Sequence, residues 1–147
     1  MDAFGYHGTT CMRTGNVQRR HKCLVDAWRR IFHENGISIS RRNRERLLRD
    51  THLRTNADDR RRMDLVVAGI PGVFNGKPLF IDATCVSPIH GNGSAMPQAG
   101  NHDGAATDRK DQEMRERDYP DVEAHPSAQL LSLSVEIYGR WGQQSLR

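Results

Sequence analysis

The sequence lacks long hydrophobic runs and contains few cysteines. No apolar segment among its 147 residues approaches the ~20 residues of a membrane-spanning helix, and the first residues show no apolar region typical of a signal peptide. The three cysteines, Cys11, Cys23 and Cys85, form no Cys-x-x-Cys pair. We therefore expect neither a membrane protein nor a secreted disulfide scaffold, and we interpret the cysteines as reduced thiols of an intracellular protein.

Lysine is also scarce, although the protein is basic. The chain holds 22 Lys and Arg against 18 Asp and Glu, yet Lys22, Lys77 and Lys110 are its only lysines. Residues 1–62 contain 15 of the basic and 7 of the acidic residues, whereas residues 63–147 contain 7 and 11. Arginine binds phosphate bidentately, so the arginine-rich first part favours a polyanionic partner, although the base composition of the gene could produce the same bias.

The hydrophobic pattern predicts one α/β domain with a small mixed sheet of about four strands flanked by helices. An amphipathic helix is predicted over residues 17–35, a weak helix over 41–54 and a charged helix over 103–118. Strands are predicted over residues 37–39, 63–68, 79–86 and 129–138. The second and third of these strands flank Asn75-Gly76, a hairpin signal, so we expect them to pair in antiparallel fashion.

Two carboxylates interrupt these apolar strands. Asp64 lies near the start of the 63–68 run, and Asp82 lies in the middle of the 79–86 run. A carboxylate inside a β-strand is costly unless a cation or several donors satisfy it. Pairing of the two strands would bring both carboxylates to one edge of the sheet, where they could bind Mg²⁺ or Mn²⁺. Alternatively, Asp64 pairs with the neighbouring arginines and Asp82 accepts local hydrogen bonds.

Two further charged residues are candidate catalytic groups. Lys110 shares a helix face with Ala106 and Met114, so its ammonium could approach the sheet and stabilise charge that develops on a phosphate. Glu45, in the weak helix, is a possible additional catalytic carboxylate. The alternative interpretation of Lys110 is a solvated surface lysine.

Residues 62–67 and 80–88, with Lys110, Tyr119 and residues 136–141, resemble a known family. Their order is similar to that of the restriction-endonuclease-like domain of the PD-(D/E)XK superfamily, in the version that follows the reverse transcriptase of non-LTR retrotransposons. The resemblance implies a restriction-endonuclease-like core and nicking of DNA during target-primed integration. It assigns metal binding to Asp64 and Asp82 and a catalytic role to Lys110.

The resemblance extends to the N-terminal residues but includes departures. Residues 2–11 are similar to the His–Cys knuckle that precedes the family's nuclease core. Since only His7 and Cys11 of that knuckle are present and a structural zinc site needs four ligands, we do not predict zinc. Met63 stands where the family has proline, and Thr84 stands where the motif has lysine. We therefore interpret residues 1–15 as the remnant of a knuckle or loop and residues 16–147 as the endonuclease-like domain.

These observations predict a Mg²⁺- or Mn²⁺-dependent DNA endonuclease cut from a longer reverse transcriptase polyprotein, nuclear if it functions. The expected partner is DNA, with no membrane. The alternatives are a catalytically inactive nucleic-acid-binding remnant and a translated fragment without function. Six arginines are the candidate DNA contacts: Arg41, Arg42, Arg44, Arg60, Arg61 and Arg62.

Overall fold

The structure of the protein is a computed structural model. It describes residues 15–39, 46–51, 53, 55–67, 70, 72–90 and 92–146. The chain divides into two compact units. Unit 1 comprises residues 1–24, 83–114 and 132–147, and unit 2 comprises residues 25–82 and 115–131.

The first helix, α1 (Asn16–Glu34), confirms the amphipathic helix predicted from the sequence. Its apolar positions recur every three to four residues, and Val25 and Phe32 are buried. Gly36 follows in the left-handed conformation, at φ +69°. The amide of Ile37 donates to the carbonyl of Phe32 and that of Gly36 donates to His33, which is the Schellman arrangement that ends a helix.

The main sheet has three strands within the described residues: β3 (Leu65–Val67), β4 (Leu79–Val86) and β5 (Gln129–Glu136), in that order. β3 and β4 run antiparallel, as predicted, with Leu65 opposite Ile81 and Val67 opposite Leu79. Amides near the two ends of β5 donate to carbonyls at the corresponding ends of β4, so these two strands are parallel. The fold is thus mixed α/β with a small mixed sheet and helices.

A second sheet has two strands, β1 (Arg46–Leu47) and β2 (Arg62–Met63). It replaces part of the weak helix predicted over residues 41–54, of which residues 48–50 form only a 3₁₀ turn. The amide of Leu48 donates to the carbonyl of Arg61, outside its own segment. The helix prediction is therefore wrong for residues 46–50, because this segment satisfies its backbone through pairing with a distant strand. Residues 40–45 lie outside the described residues.

The hairpin signal Asn75-Gly76 lies in a longer connection than a two-residue turn. Residues 68–78 separate the last paired positions of β3 and β4. Within them, Phe74–Gly76 forms a 3₁₀ turn in which all three residues have positive φ, from 47° to 70°. The Asn-Gly pair thus reverses the chain as expected, but the register is set by the apolar strands on either side.

The charged helix predicted over residues 103–118 is α2 (Ala105–Glu113), followed by a π-helical turn over Met114–Asp118. A short helix, α3 (Pro120–Glu123), then precedes β5 and begins at a proline, which is well suited to the first helical turn. Among the helices that the structure describes, none has the length and hydrophobicity needed to cross a membrane.

The large buried apolar side chains are concentrated in unit 2. The largest buried side chains of unit 2 are apolar, including Phe80, Leu48, Met63 and Leu65, each at most 2% exposed. Buried residues of unit 1 include the polar Thr107, Ser132, Ser134 and Glu136. Because burial of apolar area is the main stabilising term in folding, the described apolar core of unit 2 should contribute most of the stability.

Close packing at Gly142 in unit 1 gives a testable expectation. A Cβ atom at Gly142 would lie 2.5 Å from Oγ of Ser134 and 3.0 Å from Oγ1 of Thr107, and both of these residues are buried. Gly142→Ala is therefore expected to lower the free energy of unfolding by about 1–3 kcal/mol, as overpacking typically does. Denaturant unfolding should show this loss. Gly100→Ala is the control, because a Cβ at Gly100 meets no atom within 4 Å.

Candidate functional site

Asp64 lies at the point where the chain passes from the two-stranded to the three-stranded sheet. Met63 before it pairs with Arg46, and Leu65 after it pairs with Ile81. The single run predicted over residues 63–68 is thus split by a bend at Asp64. Asp64 is 7% exposed, which is unusual for a carboxylate and indicates that its surroundings satisfy the charge.

Asp82 lies in β4, and Asp64 lies in the bend that precedes β3. The last pair of β3 and β4 at this end is Leu65 with Ile81, and Asp64 and Asp82 are the next residues along the two chains. Both carboxylates therefore follow the same end of this strand pair. Asp82 is half-buried. The prediction that both carboxylates lie in strands holds for Asp82 only, because the chain bends at Asp64.

Tyr119 lies within electrostatic reach of both carboxylates. Burial, followed by the negative charges of Asp82 and Asp64, raises the pKa of the Tyr119 phenol well above its ordinary value. The phenol therefore stays neutral at physiological pH. Its hydroxyl donates a hydrogen bond of 2.9 Å to the carbonyl of Arg62, two residues before Asp64. This hydrogen bond links Tyr119, in the segment that follows α2, to the backbone beside the bend.

Arg61 is the centre of an ion-pair cluster in unit 2. Its guanidinium donates to both carboxylate oxygens of Asp59, to both of Asp121 at 2.7 Å, and to the carbonyl of Asp118. It also lies over the ring of Tyr119, at 5.7 Å from the centroid. Arg61 and the two carboxylates line an open cleft of about 450 Å³. These internal bonds use the donors that a phosphate contact would need.

The Arg61 cluster should make stability depend on pH in the acid range. Hydrogen bonds from Arg61 are the main cause that lowers the pKa of Asp59 to about 2, against the opposing effect of burial. A lowered carboxyl pKa stabilises the fold above the unfolded-state pKa near 4, and this contribution is lost as the pH falls through about 2.

We expect wild-type protein to lose up to about 2 kcal/mol of stability from Asp59 between pH 4 and pH 2. Asp59→Asn should flatten this part of the profile, measured by denaturant unfolding at each pH. Asp58→Asn, at an exposed neighbouring position, should keep the wild-type slope. If the stability of Asp59→Asn fell between pH 4 and pH 2 as steeply as that of wild type, Arg61 would not be lowering the pKa of Asp59.

Lys110 is placed on α2 as predicted, in unit 1. Ala106 and Met114, one turn before and after it, are buried, whereas the Lys110 side chain is 31% exposed. Its ammonium lies 3.0 Å from a carboxylate oxygen of Glu113. Ala106 and Met114 are thus buried, as expected for the face that Lys110 shares with them. Lys110 itself has an acidic partner, Glu113, on its own helix.

The remaining predicted residues divide into two groups. Arg60 and Arg62 are exposed beside the bend at Asp64. Four others lie outside the described residues: Arg41, Arg42, Arg44 and Glu45.

The donor set in the described part of the chain is small. No group of three or more His, Cys, Asp or Glu side chains converges there in a way that could hold a metal ion. The chain matches no protein-family model, no curated protein and no solved structure. Since no known relative suggests a function, the proposal below depends on the positions of Asp64, Asp82 and Tyr119.

Sequence reasoning did not foresee the Arg61 cluster or the environment of Tyr119. Arg61 and Asp121 are 60 positions apart, and Tyr119 and Arg62 are 57 apart. No local spacing connects such residues, because only the tertiary fold brings them together. Asp59 had a weak local signal, since its carboxylate accepts from the amide of Arg61 two residues on, as aspartates in turns commonly do.

Proposed function

We propose that this chain is a metal-dependent DNA endonuclease domain that hydrolyses phosphodiester bonds. In this proposal the mixed sheet is the core of a restriction-endonuclease-like fold, derived from the reverse transcriptase polyprotein of a non-LTR retrotransposon and acting in the nucleus. The observation that supports it is the position of Asp64 and Asp82, which are the residues next to the last β3–β4 pair, Leu65 with Ile81.

The carboxylates suit Mg²⁺ or Mn²⁺ as the cofactor. Mg²⁺ commonly binds one or two carboxylates and completes its octahedron with waters and substrate phosphate oxygens. Asp64 and Asp82 supply that number. When bound, the ion would polarise the phosphate and lower the pKa of a water. Zinc is not part of the proposal, because the sequence supplies only His7 and Cys11 of the four ligands that a structural zinc site requires.

The chain's own residues have separate roles in this proposal. Asp64 is buried at the bend, and Asp82 lies in the adjacent strand β4. The neutral Tyr119 hydroxyl holds the Arg62 carbonyl and so maintains the bend. Arg60 and Arg62, at the exposed edge, would contact the DNA backbone. Lys110 enters the proposal through the sequence resemblance alone.

Nicking of supercoiled plasmid tests this proposal. Wild-type protein should nick plasmid with Mg²⁺ and lose activity with chelator. Asp82→Asn should reduce the rate about a hundredfold or more, because it removes one of two anionic ligands. Asp58→Asn, which removes an exposed carboxylate from another position, should retain wild-type nicking. Equal nicking by Asp82→Asn and wild type would contradict the assignment.

A stability measurement separates loss of the site from loss of the fold. Opposed carboxylates repel when no cation is bound, so Asp82→Asn should melt at or above the wild-type temperature in chelator. Mg²⁺ should raise the melting temperature of wild type but not of the variant, because a ligand stabilises only the state that binds it. A variant that melts much lower in chelator would attribute the lost nicking to unfolding.

The second candidate function is that of a nucleic-acid-binding remnant without catalysis. The pairing of Lys110 with Glu113 favours it, because a lysine engaged on its own helix is less available to a phosphate. Such a protein would bind DNA with a strong salt dependence, would need no metal and would bind equally well as Asp82→Asn.

A further inference from the structure

Two cysteines line one cleft in unit 1 whose lining includes none of the residues of the proposed nuclease site. Cys23 lies on α1 and is exposed, and Cys85 lies near the end of β4 and is half-buried. Both border an open cleft of about 410 Å³ that also contains Arg19, Arg20 and Glu136. We name this feature the thiol cleft. Neither cysteine is in a disulfide.

The charge of the thiol cleft favours an anionic ligand. The charged residues that line it are two arginines, Arg19 and Arg20, and one carboxylate, Glu136. Glu136 is buried and forms an ion pair with Arg140, which also pairs with Asp103. The lining residues therefore carry a formal net positive charge. Arg19 is exposed at position i−4 from Cys23 on α1, so the two side chains lie on the same side of the helix.

The two thiols differ in reactivity. Burial raises the pKa of Cys85, and the nearby charge of Arg20 only partly offsets this effect. Cys85 is therefore mostly protonated at neutral pH, whereas Cys23 is exposed to reagents in solution. An exposed thiol beside cationic residues is the one that meets an incoming disulfide first.

We propose that the thiol cleft is a thiol–disulfide exchange site for an anionic low-molecular-weight disulfide such as glutathione disulfide, with Cys23 as the attacking and Cys85 as the resolving thiol. The Cys23 thiolate attacks one sulfur of the disulfide, so a mixed disulfide forms and one glutathione thiolate leaves. The Cys85 thiolate then attacks Cys23 Sγ, forming the Cys23–Cys85 disulfide and releasing the second glutathione. The protein loses two electrons and two protons, and the disulfide gains them as two thiols.

Mass spectrometry of the full chain tests the exchange. A Cys11→Ser background removes the third cysteine while keeping the two in the cleft. Glutathione disulfide should convert this protein to a form about 2 Da lighter, with Cys23 linked to Cys85 by peptide mapping. Cys85→Ser should stop at one glutathione on Cys23, about 305 Da heavier. If the protein that keeps both Cys23 and Cys85 also accumulates only the mixed disulfide with glutathione, the proposal is overturned.

Two rate measurements test the roles of charge and protonation. Since Cys85 titrates above neutral pH, the resolving step should accelerate about tenfold from pH 7 to pH 8. Arg19→Gln combined with Arg20→Gln should slow capture of glutathione disulfide by roughly tenfold, and should leave capture of the neutral hydroxyethyl disulfide unchanged. Equal slowing with both reagents would show that the arginines support the fold rather than attract the anion. The exchange uses no residue of the proposed nuclease site, so it can fail or succeed independently of plasmid nicking.

Discussion

Replacing Arg61 by methionine is expected to lower the free energy of unfolding by about 2–3 kcal/mol. The guanidinium donates to Asp59, Asp121 and the carbonyl of Asp118. The Asp59 side chain is only 8% exposed, so it would keep a poorly solvated charge that has lost its cationic partner and retains the hydrogen bond from the amide of residue 61. Breaking a fully buried pair costs about 3–5 kcal/mol, and the 46% exposure of Asp121 reduces the expected effect.

The matched control is Arg60→Met, which removes a guanidinium from the adjacent exposed position. It should change the free energy of unfolding by no more than about 0.5 kcal/mol. Adding Asp59→Asn and Asp121→Asn to Arg61→Met should restore much of the stability, because the stranded charges are then removed. If Arg61→Met and Arg60→Met unfold at the same denaturant concentration, the cluster does not stabilise unit 2.

Replacing Phe80 by alanine is expected to have the larger effect on stability, a loss of about 3–5 kcal/mol. Phe80 lies in β4 opposite Val66 and is completely buried. Truncation removes its buried apolar surface and leaves a cavity that the surrounding strands can only partly close. A domain stable by only about 5–15 kcal/mol would lose a large fraction of its stability. Denaturant unfolding should show the shift.

Phe74→Ala is the matched control for this substitution. Phe74 lies in the connection between β3 and β4 and is 40% exposed. It also has a positive φ of 47°, a conformation that neither phenylalanine nor alanine favours. The same chemical change there should therefore cost less than about 1 kcal/mol. Similar losses at the two positions would mean that β4 is not the centre of the apolar core.

The sequence identified the elements with a strong local pattern. The regular spacing of apolar residues in α1 and the β-branched runs of β3 and β4 predicted their type and pairing, because a buried face requires that periodicity. The weak helix of residues 41–54 was predicted from Leu47 and Leu48, which are adjacent rather than a turn apart. Such a pattern does not distinguish a helix from a short strand, and pairing with β2 decided between them.

In the candidate site, too, local sequence patterns predicted some features and the tertiary fold decided others. Asp64 and Asp82 were conspicuous because each interrupts an apolar run, and the cost of burying a carboxylate makes such interruptions informative. Their relative position depends on the pairing register of β3 and β4, since a shift of one residue would turn one of the two side chains to the opposite face. The sequence identified Tyr119 only as one of the positions that match the family pattern. Its proximity to both carboxylates became apparent from the tertiary structure.

The scarcity of cysteine and of long apolar runs, the excess of arginine and the alternation of strands and helices were decided by the sequence alone. These features depend on composition and on neighbours within a few positions. The proximity of Tyr119 to Asp64 and Asp82, the ion pair of Arg61 with Asp121 and the shared cleft of Cys23 and Cys85 were decided by the tertiary structure. Each joins residues far apart in the chain, and packing of the apolar strands and helices, rather than any local preference, brings such residues together.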